Sequence, residues 1–238
     1  MKAAYRGEVV YKQSRLRLMV NEPKLLDIAY ASLLTHRLQL DEYVKAHPDF
    51  KLSLTPVKVY PWSPLVARLA AEAAEIAGVG PMAAVAGAIA QAVMNDLIQA
   101  GARVAVVENG GEISAVSNDK LNVAVYAGPS TLSMKVGFEL AEVDYPVGIA
   151  TSSASVSRAI NFGEADAAVV VADEASMADA AAKAICNATV GMEEEEAVSR
   201  GLEAADSLKP YIRGALVVKG GVVGLSGRLP RLVGFTKA

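Results

Sequence analysis

An apolar run, Val104 to Val107, ends abruptly at Glu108-Asn109-Gly110-Gly111-Glu112, and apolar residues resume at Ile113. No other pattern constrains the chain as much. The run has strand length, and the two glycines after Asn let the backbone reach positive φ with no Cβ in the way. Two readings stand side by side. Asn109-Gly110 is a hairpin turn, since both residues tolerate the φ > 0 that a type I′ turn needs. Alternatively the corner, open in backbone and flanked by carboxylates, is a ligand site. The two are compatible.

The chain has 238 residues, 53% hydrophobic and 21% charged. That supports a buried core and argues against disorder. The length allows one large domain or two small ones. A formal net charge of -3 gives no attraction to nucleic acid or to anionic membranes. The locally basic Lys12, Arg15 and Arg17 alternate with apolar residues and read as the wet face of a strand. Cys186 is the single cysteine, in an Ala-rich helical pattern that suggests a buried small hydrophobe. With no disulfide possible inside the chain, a reducing cytoplasmic setting is expected. No apolar signal segment follows Met1 to Arg6, and the apolar stretch Met82 to Val93, interrupted by Gly87 and Gln91, is short for a membrane span.

Val9 to Val20 reads as two short strands. A helix follows, with Asn21 as a nearby cap and Pro23 in its first turn, and runs through Leu25 to Leu38 up to His47-Pro48. Val57 to Tyr60 is expected as a strand. A helix over about Ser63 to Ala77 has Ser63-Pro64 as cap and first position. Another spans Met82 to Ala100 and stops at Gly101. Strands are expected at Arg103 to Val107, Ile113 to Val116, Val123 to Tyr126, Val147 to Thr151 and Ala167 to Val171. Helices follow at Ala175 to Ala188 and from Glu193, where four acids suit a solvated helix start rather than a metal site. Ile212 to Val218 and Val222 to Leu225 form a last hairpin about Gly220-Gly221. The irregular alternation, with antiparallel pairs, argues for α+β. Strands, long helices and strands again occur in each half, with no Pro-, Gly- or Ser-rich linker between them. The expected organisation is one domain over 1–238, or two tightly packed similar halves with a break near 125–145.

Four segments could carry chemistry: the Glu108 to Glu112 corner, Gly78 to Gln91, Ala150 to Ser157, and Phe162 to Ala167 with the Ala178 to Ala184 helix. Small residues in the second permit close approach, either of a ligand or of a packed helix. The third carries five hydroxyls, from Thr151 to Ser157, as phosphate or sugar partners or as caps. With only His36 and His47 in the chain, a Ser-His-Asp hydrolase is disfavoured. Asp179 and Lys183, four apart, share a helix face, as a surface ion pair or as a carboxylate and amine at a ligand. His and Cys spacing for zinc is absent, so any metal would be a hard, oxygen-bound ion such as Mg²⁺.

Taken in order, these segments resemble the ApbE-like superfamily, whose characterised members are Mg²⁺-dependent flavin transferases that cleave FAD and attach FMN to Ser or Thr of a target protein. The matching stretches are Gly87-Ala88-Ile89-Ala90-Gln91-Ala92, Val107-Glu108-Asn109-Gly110-Gly111-Glu112, Thr151-Ser152-Ser153 and Ala178-Asp179-Ala180, within about Met82 to Gly191. Val79 to Gly87, Phe162-Gly163 and Ala165-Asp166-Ala167 point to a branch of that superfamily without an assigned activity. The resemblance implies an α+β fold with T-fold-like duplicated antiparallel sheets and long helices packed on them. It implies a flavin or nucleotide-like ligand, FAD or FMN, and Mg²⁺ on Asp179. Binding residues implied are Gly80, Met82, Gly87, Gln91, Glu108, Asn109, Gly110, Gly111, Thr151, Ser152 and Ser153, with Glu112, Asp179 and Lys183 as the chemical groups.

The chain departs from the family pattern in four places. The family's Gly-Gly-Asp carboxylate is Glu112 here, a longer arm that retains the charge. Gln91 stands where the family has a basic residue. Lys183 stands where it has a Thr one turn after the metal-binding Asp. The family's His-x-x-Asp-Pro-x-Thr-Gly segment has no counterpart, Ile160-Asn161-Phe162-Gly163 lying at its approximate place. Two hypotheses follow: a flavin- or nucleotide-dependent transferase with phosphoryl or nucleotidyl chemistry, or a non-catalytic binder or assembly protein that kept the fold. A third is a small-molecule site between subunits of a homo-oligomer.

Overall fold

Alternation of buried and exposed residues along Ser14–Val20 makes that segment a strand with one wet face. It is β2, and β1 (Tyr5–Tyr11) pairs with it in full register from Tyr5↔Val20 to Tyr11↔Ser14. A computed structural model of the protein describes residues 4–156 and 160–235. Four helices follow the hairpin: α1 (Lys24–Ala46), α2 (Pro48–Leu52), α3 (Leu65–Ala77) and α4 (Val85–Gln99), the last preceded by a 3₁₀ turn at Pro81–Ala84. Next come β3 (Ala105–Asn109), β4 (Glu112–Val116), β5 (Leu121–Ala124), β6 (Val136–Leu140), β7 (Val147–Ser152) and β8 (Ala167–Ala172). Helices α5 (Ala175–Ala188) and α6 (Glu194–Ser207) lead to β9 (Gly214–Lys219), β10 (Val222–Gly227) and β11 (Arg231–Gly234).

Eight strands form one sheet in the order β1-β2-β3-β4-β7-β8-β9-β10, and every pairing is antiparallel. Each side of the β4–β7 seam carries a strand pair, helices and a second strand pair. A three-stranded sheet, β11-β6-β5, packs separately. Successive residues of a strand point to opposite faces, so the large sheet feeds two cores. Val107, Val170 and Val217 meet the helices, with Leu33, Ile89 and Ile185. Val106, Val169 and Leu216 meet the small sheet, with Phe138 and Leu140. The α+β class read from the sequence holds. The segment Pro81–Gln99 has the length and hydropathy of a membrane span, and about two thirds of it is buried inside the fold, 67% of the window.

Several local expectations are corrected. Val57 to Tyr60 forms no strand among the described residues; Pro56 and Pro61, which bring no N–H to a ladder, bracket it. Asn21 does not cap α1. Its Oδ1 accepts from the amides of Arg103 and Val104, at 2.8 and 3.0 Å, and so ties the start of β3 to the end of β2. Ser63 makes no capping bond to α3, whose N-cap is Pro64. Two strands, β6 and β11, were not expected. Ser157 lies outside the described residues.

Candidate functional site

The site grows from the β3–β4 hairpin. Asn109 pairs with Glu112, so the two loop residues are Gly110 (φ 77°) and Gly111 (φ 124°), one position later than an Asn109-Gly110 turn. Both need the left-handed region, which glycine enters without a Cβ penalty. Because Asn109 stays in the ladder, its side chain turns to the helix layer and Nδ2 donates to the Ala86 carbonyl at 3.0 Å. Glu108 faces the other way, and its Oε1 accepts from the Gly111 amide at 2.9 Å, fixing the corner.

On the helix side of the same sheet end, α5 brings Asp179 into the field of Glu112, the first residue of β4, and α4 brings up its first turn. The Gly87 amide, in the first turn of α4, donates to Asp179 Oδ2 at 2.8 Å. Glu112 shares Asp179's field. Burial, reinforced by the Asp179 charge, pushes Glu112 well above the usual carboxylate range, against its backbone hydrogen bond and the opposing Lys183 charge. Burial likewise pushes Asp179 up to about 7, against the Gly87 amide and Lys183. Burial draws Lys183 down, against the charges of Cys186, Asp179 and Glu112. Lys183 Nζ donates to Asn161 Oδ1 at 2.6 Å and to the Ile160 carbonyl at 3.2 Å. Asn161 in turn donates to the Ser153 carbonyl at 2.9 Å and accepts from the Ser152 hydroxyl at 3.4 Å. The strand end at Thr151 to Ser153 is thus held to α5 through Asn161, and Ser152 also meets the Cys186 thiol.

Across the sheet from these acids lies a cavity of about 870 Å³ between the two sheets. Val106, Ile113, Ile149 and Val169 floor it from the large sheet, and Val123 and Phe138 face them from the small one. Gly110, Gly111, Glu112, Thr151 and Ser153 stand at its polar end, with Arg15 and Arg17. Glu112 therefore touches both the cavity and the Asp179 cluster.

A family model described as AbpE bacteria matches residues 1–219. The chain belongs to that family. A UPF0280 protein of Methanothermobacter thermautotrophicus is 43% identical over 201 residues, covering 84% of this chain and 78% of that protein. One of Methanocaldococcus jannaschii is 40% identical over 231 residues, covering 96% and 93%. Among solved structures, the apo flavinyl transferase ApbE of Pseudomonas stutzeri aligns with a TM-score of 0.59 at 13% identity, covering 94% of each chain. The ApbE protein of Thermotoga maritima aligns at 0.56 with 12% identity, over 94% of this chain and 97% of that one. At such identities these two establish the shared fold.

Within this AbpE-family chain, the structure brings together Gly87, Asn109, Glu112, Ser152, Asp179 and Lys183 at one sheet end, and Glu108, Gly110, Gly111, Thr151 and Ser153 around the cavity. Other residues named from the sequence lie elsewhere. Gln91 is buried between α4 and α5, where its Oε1 accepts from the Ser176 amide and hydroxyl at 3.1 and 2.9 Å. Gly80 lets the chain cross α2's end, since a Cβ there would sit 2.1 Å from the Ser53 carbonyl. Met82 is exposed on the 3₁₀ turn, outside the cavity lining. Asp166 accepts from the Gly220 amide at 2.7 Å and braces the last hairpin. Arg15 and Arg17 were read from the sequence only as a wet strand face. Their alternation gave the exposure but not what lies beside it.

The resemblance implies Mg²⁺ at Asp179, and the donors present decide whether it fits. Among the described residues, no group of three or more His, Cys, Asp or Glu side chains gathers to hold a metal ion. Asp179 already spends Oδ2 on Gly87, and one turn later stands Lys183, which offers three donors and no acceptor. Its positive charge acts on both Asp179 and Glu112. A hard divalent cation needs an oxygen shell and would meet that ammonium instead. These residues do not fit Mg²⁺. A flavin or nucleotide is a different matter: the cavity falls in the size range of small-molecule sites and has their mixture of apolar walls and a few polar groups.

Proposed function

We propose that this protein binds a flavin or nucleotide-like small molecule in the cavity between its sheets. The observation that carries the reading is the meeting of that cavity with a half-buried acid pair at Glu112. The glycine hairpin gives close backbone approach, Thr151 and Ser153 offer hydroxyls, and Glu112 stands at the cavity's polar end. An acid with a pKa of about 7 exchanges protons at neutral pH, which suits Asp179 to hold a proton in the field of Glu112, the member of the pair that lines the cavity. Lys183 supplies positive charge that acts on this acid pair. The reaction class that these roles support is phosphoryl or nucleotidyl transfer, run without a metal ion held by these side chains.

A second reading is a non-catalytic binder. Two contacts favour it: Gln91 is committed to Ser176, and Lys183 is committed to Asn161 and the Ile160 carbonyl. The purified protein, incubated with FAD with and without Mg²⁺, separates them. Release of AMP and FMN, lost in Asp179→Ala, supports catalysis. Binding without turnover supports the second reading. No binding of FAD, FMN or adenine nucleotide at millimolar concentration sinks both.

A further inference from the structure

The chain between α2 and α3, residues 53–64, takes no part in the site above, and none of its residues lines the cavity. Exposure alternates along its middle. Val57 and Val59 are half-buried, Val59 against the helix-side core, while Lys58 and Tyr60 face water. One side of the segment is held to the fold and the other is displayed. The displayed side is strongly apolar. Leu52, the last residue of α2, is 73% exposed, Leu54 56%, Tyr60 58% and Trp62 79%, and the rings of Tyr60 and Trp62 stack at 4.7 Å. Gly80 lies against the Ser53 carbonyl and Leu54 Cα, two residues before the exposed Met82. The charge here is one-sided as well. From Phe50 to Ala71 there is no Asp or Glu. Lys51 and Lys58 are exposed and make no ion pair among the described residues.

We propose that this face docks on an anionic lipid bilayer, with Tyr60 and Trp62 seated among the headgroups and Lys51 and Lys58 on their phosphates. The proposal is independent of what the cavity binds. Indole and phenol rings have an apolar body and a polar edge, and they gather where hydrocarbon meets water. Lysine lays its stem on apolar surface and keeps its ammonium among the headgroups. The formal net charge of -3 belongs to the whole chain. Salt confines the field of an exposed charge to about 8–10 Å, so the two lysines set the sign at this face. A protein partner fits less well. The centres of protein interfaces are depleted in lysine, whereas Lys58 stands between Leu54 and Tyr60 on the displayed side. A second copy fits less well again. A twofold contact sets the same patch against itself, and the segment has no acid to meet the opposing lysines.

Trp62 is the only tryptophan in the chain, so its emission reports on this face alone. The intact chain is mixed at low ionic strength with phosphatidylcholine vesicles, with or without phosphatidylglycerol, and then sedimented. On the anionic vesicles the emission is expected to shift to the blue and the chain to pellet. Partitioning should be on the order of tenfold stronger than on phosphatidylcholine alone, as two lysines at a charged surface supply. Added salt shrinks that preference. Lys51→Gln/Lys58→Gln removes it, and Leu52→Ser/Leu54→Ser weakens pelleting while the preference stays. All four side chains are exposed, and melting curves verify that the variants fold. Emission unchanged on anionic vesicles at millimolar lipid overturns the proposal, as does a preference undiminished in the lysine variant. Pelleting without a blue shift overturns it too, by placing the contact elsewhere. A blue shift that follows protein concentration and not lipid makes this a face between proteins, and overturns it equally.

Discussion

The backbone amide of Gly87 donates to Asp179 Oδ2 across 2.8 Å, and the absence of a side chain at Gly87 is what lets α4 and α5 come that close. A Cβ at this position would sit 2.3 Å from the Ala175 carbonyl oxygen and 2.9 Å from Asp179 Cβ. Backbone atoms cannot swing aside as a side-chain tip can. Gly87→Ala is therefore expected to destabilise by about 1–3 kcal/mol through overpacking, although alanine is the better helix former by about 1 kcal/mol. Urea denaturation decides the sign. A variant as stable as the natural chain would mean that the two helices separate freely, and the site with them.

Asp179 sets a pH dependence. Its carboxyl, with an ordinary value of 3.8, is raised to about 7 in the fold, so the folded chain holds a proton that the unfolded chain has lost. Stability from this group is complete below pH 4 and falls as pH rises through 7. Asp179→Asn keeps an oxygen for the Gly87 amide and removes the titration. The variant should lose that slope between pH 4 and 7 and gain on the order of 2 kcal/mol at pH 8, a figure reduced for residual solvent contact. Melting temperatures across pH 4 to 9 test it, and an unchanged slope in Asp179→Asn assigns the effect to another group.

What could be read from the sequence was what neighbours in the chain decide. The two glycine hairpins followed from strand-length apolar runs beside glycine pairs, the first turn falling on Gly110-Gly111, one position after the Asn109-Gly110 turn read from the sequence, and Ala175 to Ala188 formed the expected helix. The order Gly87, Asn109, Ser152, Asp179 was visible too. Their convergence depends on the β4–β7 seam and the α4–α5 contact, which no local pattern encodes. β11 pairs with β6 across some 92 residues, Arg231 opposite Glu139, and the two segments, four and five residues long, are too short for their alternation to stand out. Val57 to Tyr60 alternates well but meets no ladder. Arg15 and Arg17 were legible as exposed, yet only the end of the small sheet beside β2 makes them part of a cavity wall.

Lys183 carries the next expectation. With its ammonium acting on Asp179 and Glu112, the natural chain should bind Mn²⁺ no better than a surface would. Lys183→Thr removes the cation and supplies a hydroxyl oxygen one turn after Asp179. That variant should acquire a single Mn²⁺ site, lost again in Lys183→Thr/Asp179→Asn. Electron paramagnetic resonance titration of free Mn²⁺ reads this without any assay of activity. Tight Mn²⁺ binding by the natural chain, abolished by Asp179→Asn alone, would show that Lys183 does not exclude the ion.

Gln91 separates a structural role from a binding one. Its Oε1 is the acceptor for both the amide and the hydroxyl of Ser176, in the first turn of α5, and all three groups are buried. Gln91→Leu preserves bulk but strands two donors, and leaving a buried donor unsatisfied costs about 1–3 kcal/mol. Gln91→Glu keeps an acceptor and should lose less at neutral pH, since two hydrogen bonds to an ionised oxygen offset part of its desolvation. Neither side chain lines the cavity, so FMN affinity measured well below the melting temperature should stay within a factor of about two of the natural value, which is under 0.5 kcal/mol. If affinity for FMN instead falls tenfold in both variants while the melting temperature holds, Gln91 belongs to the ligand site and the α4–α5 seam moves when ligand enters.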